Sequence, residues 1–290
     1  MSERLAALTA RLGTASTEFE CCDTAFRLEV RGPAASRALD RAASTARRLE
    51  AQLDAFDDSS AVACLNETGC VENEHVARVV RRALAYRERT DGVFDVQRGR
   101  LEHDLKRYLR GDVDEPPSPD DDADAAVTVN GDTVETSAPL DLNGLAKGYI
   151  VDRVHDAAAG LGRTVFVSGG GDMTPPPAPV GVESPWDDTH LRALDTDWAV
   201  ATSGGYRRER GGLDHIYDPR AGTVGSRHDL VTVVAERDCT EADALATTLA
   251  VLPHEAALSL AEDWQGVEAL VVTCGVFRET EGFGDHVVAT

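Results

Sequence analysis

Lysine is what this chain most lacks: Lys106 and Lys147 are the only two among 290 residues, so 27 of its 29 basic residues are arginine. Positive charge as a whole is scarce, with 51 acidic residues setting the net charge at −22. That balance excludes nucleic-acid binding, which needs basic patches, and docking on anionic membranes. The six cysteines, Cys21, Cys22, Cys64, Cys70, Cys239 and Cys274, form no C-x-x-C and have no histidine at zinc-site spacing. They read as buried or free thiols of a reducing compartment. No apolar run reaches membrane-spanning length, and Met1 to Gly13 has no apolar signal-peptide core, so no membrane insertion and a cytoplasmic location are expected. No repeat of solenoid length is present.

What is there is a globular composition, 42% apolar over 290 residues, with core enough to fold without disulfides. An acidic surface poor in lysine is what a protein of a salt-accumulating halophile looks like, kept solvated while salt screens its self-repulsion. In a chain that avoids lysine, Lys147 gains weight.

Lys147 stands in the stretch around which the chain is organised, Asp141-Leu142-Asn143-Gly144-Leu145-Ala146-Lys147-Gly148-Tyr149. It reads as a turn feeding a helix, whose apolar face follows at Ile150, Val154, Ala157 and Leu161. Asn143 or Gly144 falls near the helix start, where unpaired backbone N–H groups favour an anion. Gly144 and Gly148 let a ligand approach the backbone. A lysine in the first turn is poorly placed against the helix dipole, which points to a phosphate or carboxylate partner. A capped helix with a solvated lysine fits the same residues.

A second informative stretch is Thr240-Glu241-Ala242-Asp243-Ala244-Leu245-Ala246-Thr247-Thr248. Asp243 and Thr247 share one helical face, about 6 Å apart along the axis, so a carboxylate and a hydroxyl can reach one hard cation such as magnesium. Equally, Thr240 as N-cap with Asp243 three residues on resembles a capping box.

Along the chain, residues 2–12 suit a short amphipathic helix and Phe19 to Val30 a strand. A long helix after Pro33 carries the stripe Leu39, Ala42, Ala46, Leu49, Leu53 and Phe56. Ser60 to Leu65 suits a short helix stopped by Asn66 and Gly69, and about Glu74 to Arg89 a longer one. Gly92-Val93-Phe94-Asp95 is a loop suited to a planar ligand or to a helix end over a buried Phe. Leu101 to Arg110 is a short further element. Residues 111–124 are acidic and proline-rich and read as a surface loop within a single domain spanning 1–290. Val127 to Val134 is a hairpin about Asn130-Gly131. Strands are expected at Thr164 to Val167, Val180 to Glu183, Trp198 to Thr202, Leu230 to Ala235 and Ala269 to Val272, followed by a hairpin to the end. A helix is expected at Thr240 to Leu252. The glycines after Val167 do not form G-x-G-x-x-G, so a Rossmann assignment fails.

Taken in order, eight elements resemble the FAD:protein FMN transferases, the ApbE-type family. They are Asp23-Thr24-Ala25-Phe26; Phe56 through Ser60 to Leu65-Asn66; Gly92-Val93-Phe94-Asp95; the stretch Asp141 to Tyr149; Gly170-Gly171-Asp172; Ala201-Thr202-Ser203-Gly204; His215-Ile216-Tyr217-Asp218-Pro219-Arg220; and Ala242 to Thr247. The resemblance implies an α+β fold, one compact unit with two lobes of mixed or antiparallel sheet and packed helices around a cleft. It implies a Mg²⁺-dependent enzyme that cleaves the FAD pyrophosphate and attaches FMN to a Ser or Thr of an acceptor protein, releasing AMP. By the same implication Gly144, Asp243 and Thr247 hold the metal. Phe56, Asn66, Val93, Phe94, Asp95, Asp141, Lys147, His215 and Ile216 line the FAD site. His215 would serve as base and Asp243 as the catalytic metal ligand. Departures from the family pattern are Cys22 for Met, Phe56 for Tyr or Trp, Ser168 for Asn, Gly205 for Asp and Ala221 for Thr. An FAD pyrophosphatase and a non-catalytic flavin-binding protein are the alternatives.

Overall fold

The stretch from Phe19 to Val30 is a hairpin rather than one strand. Strand β1 (Thr14–Cys21) and strand β2 (Thr24–Arg31) pair antiparallel, with Cys21 opposite Thr24. Cys22 and Asp23 between them both take φ near +56°. Positive φ at both central residues is the tight turn whose twist matches a hairpin, and glycine or asparagine usually marks it. The structure is a computed structural model describing residues 13–117, 126–161, 164–205 and 209–288. The helix expected over 2–12 and part of the acidic loop lie outside the described residues.

Helix α1 (Ala35–Leu53) follows, its stripe from Leu39 to Leu53 buried as expected. It stops before Phe56, because the Asp54 side chain accepts from the Phe56 N–H at 2.9 Å and draws the backbone into a turn. Helix α2 (Ala61–Thr68) is capped by the Ser60 hydroxyl and closed by Gly69 at φ +78°, so Asn66 lies inside it rather than ending it. Strand β3 (Cys70–Glu72), helix α3 (Glu74–Arg89) and helix α4 (Gly99–Arg110) come next. A Cβ at Gly99 would fall 2.4 Å from the Pro139 carbonyl oxygen, so only glycine lets α4 begin this close to the chain leading into Asp141. In the hairpin of β4 (Val127–Asn130) and β5 (Thr133–Thr136), Asn130 pairs with Thr133. The turn is therefore Gly131-Asp132, one residue beyond the expected centre, with glycine at the positive-φ first position.

Helix α5 (Asn143–Ala159) carries the organising stretch. Strands β6 (Thr164–Gly169), β7 (Asp172–Met173), β8 (Val180–Glu183), β9 (His190–Leu194) and β10 (Ala199–Ser203) succeed it. Two small hairpins pair β11 (Glu209–Arg210) with β12 (Leu213–Asp214), and β13 (Tyr217–Asp218) with β14 (Thr223–Val224). The chain ends with β15 (Leu230–Ala235), α6 (Cys239–Val251), α7 (His254–Glu262), β16 (Val267–Thr273) and β17 (Val276–Glu279).

Among the described residues the main sheet has eight strands in the order β1-β2-β6-β7-β10-β15-β16-β17, and its neighbours pair antiparallel. Strand β15 is buried along its whole length because both faces are covered. Val231, Val233 and Ala235 join the main core with the helices, while Leu230 and Val234 join a second cluster with Val182, Leu194 and Phe283. Helix α5 packs between α1 and α6, and this α+β arrangement sets the start of α5 against the middle of α6.

Candidate active site

Helix α6 is buried nearly all round. Among its residues only Thr247 is not buried, and Thr247 faces a cavity of about 980 Å³. Three interactions fix α6. Asp238 is its N-cap, accepting from the Glu241 N–H at 2.9 Å and pairing with Arg82 at 2.7 Å. Asp152 of α5 accepts from the Cys239 and Thr240 N–H groups, each at 2.9 Å, and from the Thr240 hydroxyl. Asp243 Oδ2 accepts from the Gly148 N–H at 2.9 Å. The capping-box reading thus fails: Thr240 is taken by Asp152 and the cap is Asp238, which leaves Asp243 pointing at α5.

The two glycines of α5 do different things. A Cβ at Gly148 would lie 2.5 Å from the Cys239 carbonyl oxygen, so Gly148 serves the helix crossing and not a ligand. A Cβ at Gly144 would lie 3.1 Å from the Phe94 ring and 3.6 Å from Thr247 Cγ2, and all three residues line the cavity. Gly144, Asp243 and Thr247 are thereby brought to one wall.

Lys147 is not a solvated lysine. Its Nζ lies 3.0 Å from Asp172 Oδ2, a carboxylate with 1% side-chain exposure, at the first residue of β7. Burial works against its charge, but Asp172 and Asp243 outweigh burial and raise its pKa above the usual lysine value. The Asp243 carboxyl is pushed well up by burial and then by Asp172. One cation thus faces two buried carboxylates.

Lys106, on α4, lines the same cavity. Its Nζ bonds Asp141, whose side chain is wholly buried, and lies 3.6 Å from Glu102. Burial opposes ionisation of Asp141, yet Lys106, His103 and the Asn143 N–H hold its pKa below the usual carboxylate value. Both lysines of a lysine-poor chain therefore stand in one cavity, each on a buried aspartate. The sequence reading missed Lys106 and Asp172, although the scarcity of lysine and the Gly-Gly-Asp turn were both signals.

Of the residues implied for FAD, Phe56, Val93, Phe94, Asp95, Asp141, Lys147, His215 and Ile216 line the cavity. The Arg110 guanidinium lies 4.4 Å from the Phe56 ring centroid. Asp95 is buried and held by Arg87 at 3.1 Å. The Ile216 N–H donates to Asp214 at 2.8 Å, fixing the bend between β12 and β13 that carries His215. Asn66 is the exception and is not a lining residue. Its amide and oxygen clamp the Leu140 backbone, at 3.0 and 2.8 Å, and so fix the chain entering Asp141. Gly205 departs from the family pattern for a visible reason: a Cβ there would fall 1.9 Å from the Asp214 carboxylate.

Comparison with known proteins gives one family. The ApbE family profile matches residues 22–271. The FAD:protein FMN transferase of Treponema pallidum (strain Nichols) is 30% identical over 282 residues, covering 81% of this chain and 76% of the relative. That of Vibrio cholerae O395 is 30% identical over 228 residues, 69% of this chain and 68% of the relative. The crystal structure of the ApbE protein of Thermotoga maritima superposes with a TM-score of 0.83 at 26% identity, covering 94% of this chain and 99% of that one.

Proposed function

The chain belongs to the ApbE family and is a flavin transferase, and from that premise we propose that it cleaves the pyrophosphate of FAD and attaches FMN through phosphate to a Ser or Thr hydroxyl of an acceptor protein, releasing AMP. The observation that carries this is the wall where Gly144, Asp243 and Thr247 meet beside Lys147. The cavity is at the upper end of the ~300–1,000 Å³ usual for small-molecule sites, as a dinucleotide requires.

The same wall fits Mg²⁺. Its donors are a backbone carbonyl, a carboxylate and a hydroxyl, all oxygen, as a hard dication prefers. The crowding of Asp243 by Asp172 leaves a surplus of negative charge that a cation offsets. Gly144, Asp243 and Thr247 are the residues that would hold the ion. Bound there, it supplies charge neutralisation to the pyrophosphate oxygens.

The chain's own residues supply the rest. Asp172 holds Lys147 rigidly in the cavity, where its ammonium contacts a phosphate. At the start of α5 the Asn143 N–H is held by Asp141 and the Leu145 N–H by the Leu142 carbonyl, so the helix end offers the same anion its dipole rather than a set of free donors. Phe56 offers a ring face to the flavin or adenine. His215, half-buried in the wall, accepts the proton of the acceptor hydroxyl as it attacks phosphorus, while the AMP oxygen leaves with the bond electrons.

Free thiols at all six cysteines support a reducing, cytoplasmic setting, and among the described residues no helix is long and apolar enough to cross a membrane. The charge of −22 supports work at high salt, where screening relieves self-repulsion. Incubation with FAD and Mg²⁺, with and without an acceptor protein, tests the reaction. The transferase releases AMP only with acceptor and leaves FMN on it. AMP regardless of acceptor identifies a pyrophosphatase, and no AMP in either case identifies a flavin carrier.

A further inference from the structure

Cys21 and Cys22 have no part in that chemistry, yet they are placed with care. Cys21 ends β1 and is buried, and Cys22 opens the turn after it. Their sulfurs lie 3.7 Å apart. From α1, Glu50 reaches the same point and accepts from the Cys22 N–H through Oε1. The two sulfurs and a Glu50 carboxylate oxygen all lie within 4.8 Å of one another.

Among the described residues no arginine or lysine pairs with Glu50. Three potential anions thus crowd one point without a cation. Two zinc–sulfur bonds of about 2.3 Å at a tetrahedral angle hold their sulfurs about 3.8 Å apart, close to the spacing seen. Cys22 and Glu50 also line the cavity, which gives an ion a path in and leaves the fourth position to water.

We propose that Cys21, Cys22 and Glu50 form a site for one thiophilic divalent cation of the zinc class, separate from the oxygen donors around Asp243. On binding, each thiol sulfur exchanges its proton for the ion, so up to two protons per ion pass to solvent.

Cobalt(II) titration of the reduced protein reads the site without reference to activity. The expected result is a near-ultraviolet thiolate-to-cobalt band that saturates at one equivalent and is bleached by zinc. Changes outside the ligand set already cost metal sites about 10–100-fold in affinity. Cys22→Ser, in a half-buried turn, should therefore weaken cobalt binding by about a hundredfold or more, and Glu50→Gln by about tenfold. Cys64→Ser with Cys70→Ser, both at exposed positions, should leave the titration unchanged. Circular dichroism establishes that each variant is folded. Absence of the band in the wild-type protein overturns the proposal, as does a band that survives Cys22→Ser or one lost with Cys64 and Cys70.

Discussion

Gly148 donates its backbone N–H to Asp243 Oδ2 at 2.9 Å, and a Cβ on Gly148 would sit 2.8 Å from Asp243 Cβ. The missing side chain is what lets α5 approach α6 closely enough to aim Asp243 at the wall shared with Gly144. The family-typical stretch of α5 therefore acts partly as a packing device.

Alanine at Gly148 tests this because two effects oppose each other. In a helix interior Gly→Ala normally stabilises by about 1 kcal/mol. Here the new methyl would meet Cys239 O at 2.5 Å, a backbone atom that cannot turn aside. Overpacking typically costs about 1–3 kcal/mol, so a net loss is expected. Gly144→Ala should unfold at nearly the wild-type urea concentration, since it meets the edge of the Phe94 ring at 3.1 Å, which can shift. A Gly148→Ala midpoint at or above wild type would show that the crossing is loose.

Lys147→Met should destabilise the protein as well as weaken FAD binding. It leaves Asp172, with 1% side-chain exposure, without its cation. Stranding one partner of a buried pair costs about 3–5 kcal/mol. The double change Lys147→Met with Asp172→Asn should recover most of the melting temperature while FAD affinity by fluorescence titration stays low. Recovery of both would reduce the lysine to a structural role.

These residues also show what the sequence carries. Helical periodicity located α1 and α3, because burial on one face leaves a regular mark, and the unbroken β-branched run located β15, because both its faces are covered. The Cys22-Asp23 turn left none, since neither residue is the glycine or asparagine that usually signals positive φ. Asp238 was hidden by Thr240, a better-looking cap that spends its hydroxyl on Asp152, 88 residues earlier in the chain. Lys106 reaches Asp141 across 35 residues because α4 begins at a glycine packed on Pro139. Such long-range pairings have no local signature. The candidate site was legible as ordered motifs, while the pairing of each lysine with an aspartate needed coordinates.

Glu102 gives stability a pH dependence. Burial and the neighbouring Asp141 raise its pKa from 4.5 to about 8, despite Lys106. The folded state therefore holds this proton more tightly than the unfolded chain does. The stabilisation is complete below pH 4.5, declines as pH rises, and is gone above about 8. Glu102→Gln keeps the shape without the titration. Wild-type melting temperature should fall relative to Glu102→Gln between pH 5 and about 8, and parallel curves for the two proteins would refute the assignment.

Asp238 and Asp243 sit within two turns of the same helix, and opposite behaviour is expected of them. Asp238 caps α6 through the Glu241 N–H and receives both arms of Arg82, at 2.7 and 2.8 Å. Asp238→Ala removes a cap worth about 0.5–2 kcal/mol and also leaves a partly buried guanidinium unpaired. Its melting temperature should drop, while the Mg²⁺ dependence of AMP release at a permissive temperature stays as in wild type. Asp243 caps nothing. Asp243→Asn retains an oxygen able to accept from the Gly148 N–H and relieves the crowding with Asp172, so the metal-free protein should melt no lower than wild type. What it loses is the formal charge offered to a hard dication, for which a neutral amide is a poor substitute. AMP release should be abolished over the whole accessible Mg²⁺ range, and Thr247→Val should act in the same direction more weakly, since a hydroxyl brings no charge. The two measurements together separate folding from chemistry. A normal Mg²⁺ requirement with undiminished AMP release in Asp243→Asn would remove Asp243 from the metal site and, with it, the reaction proposed for this wall.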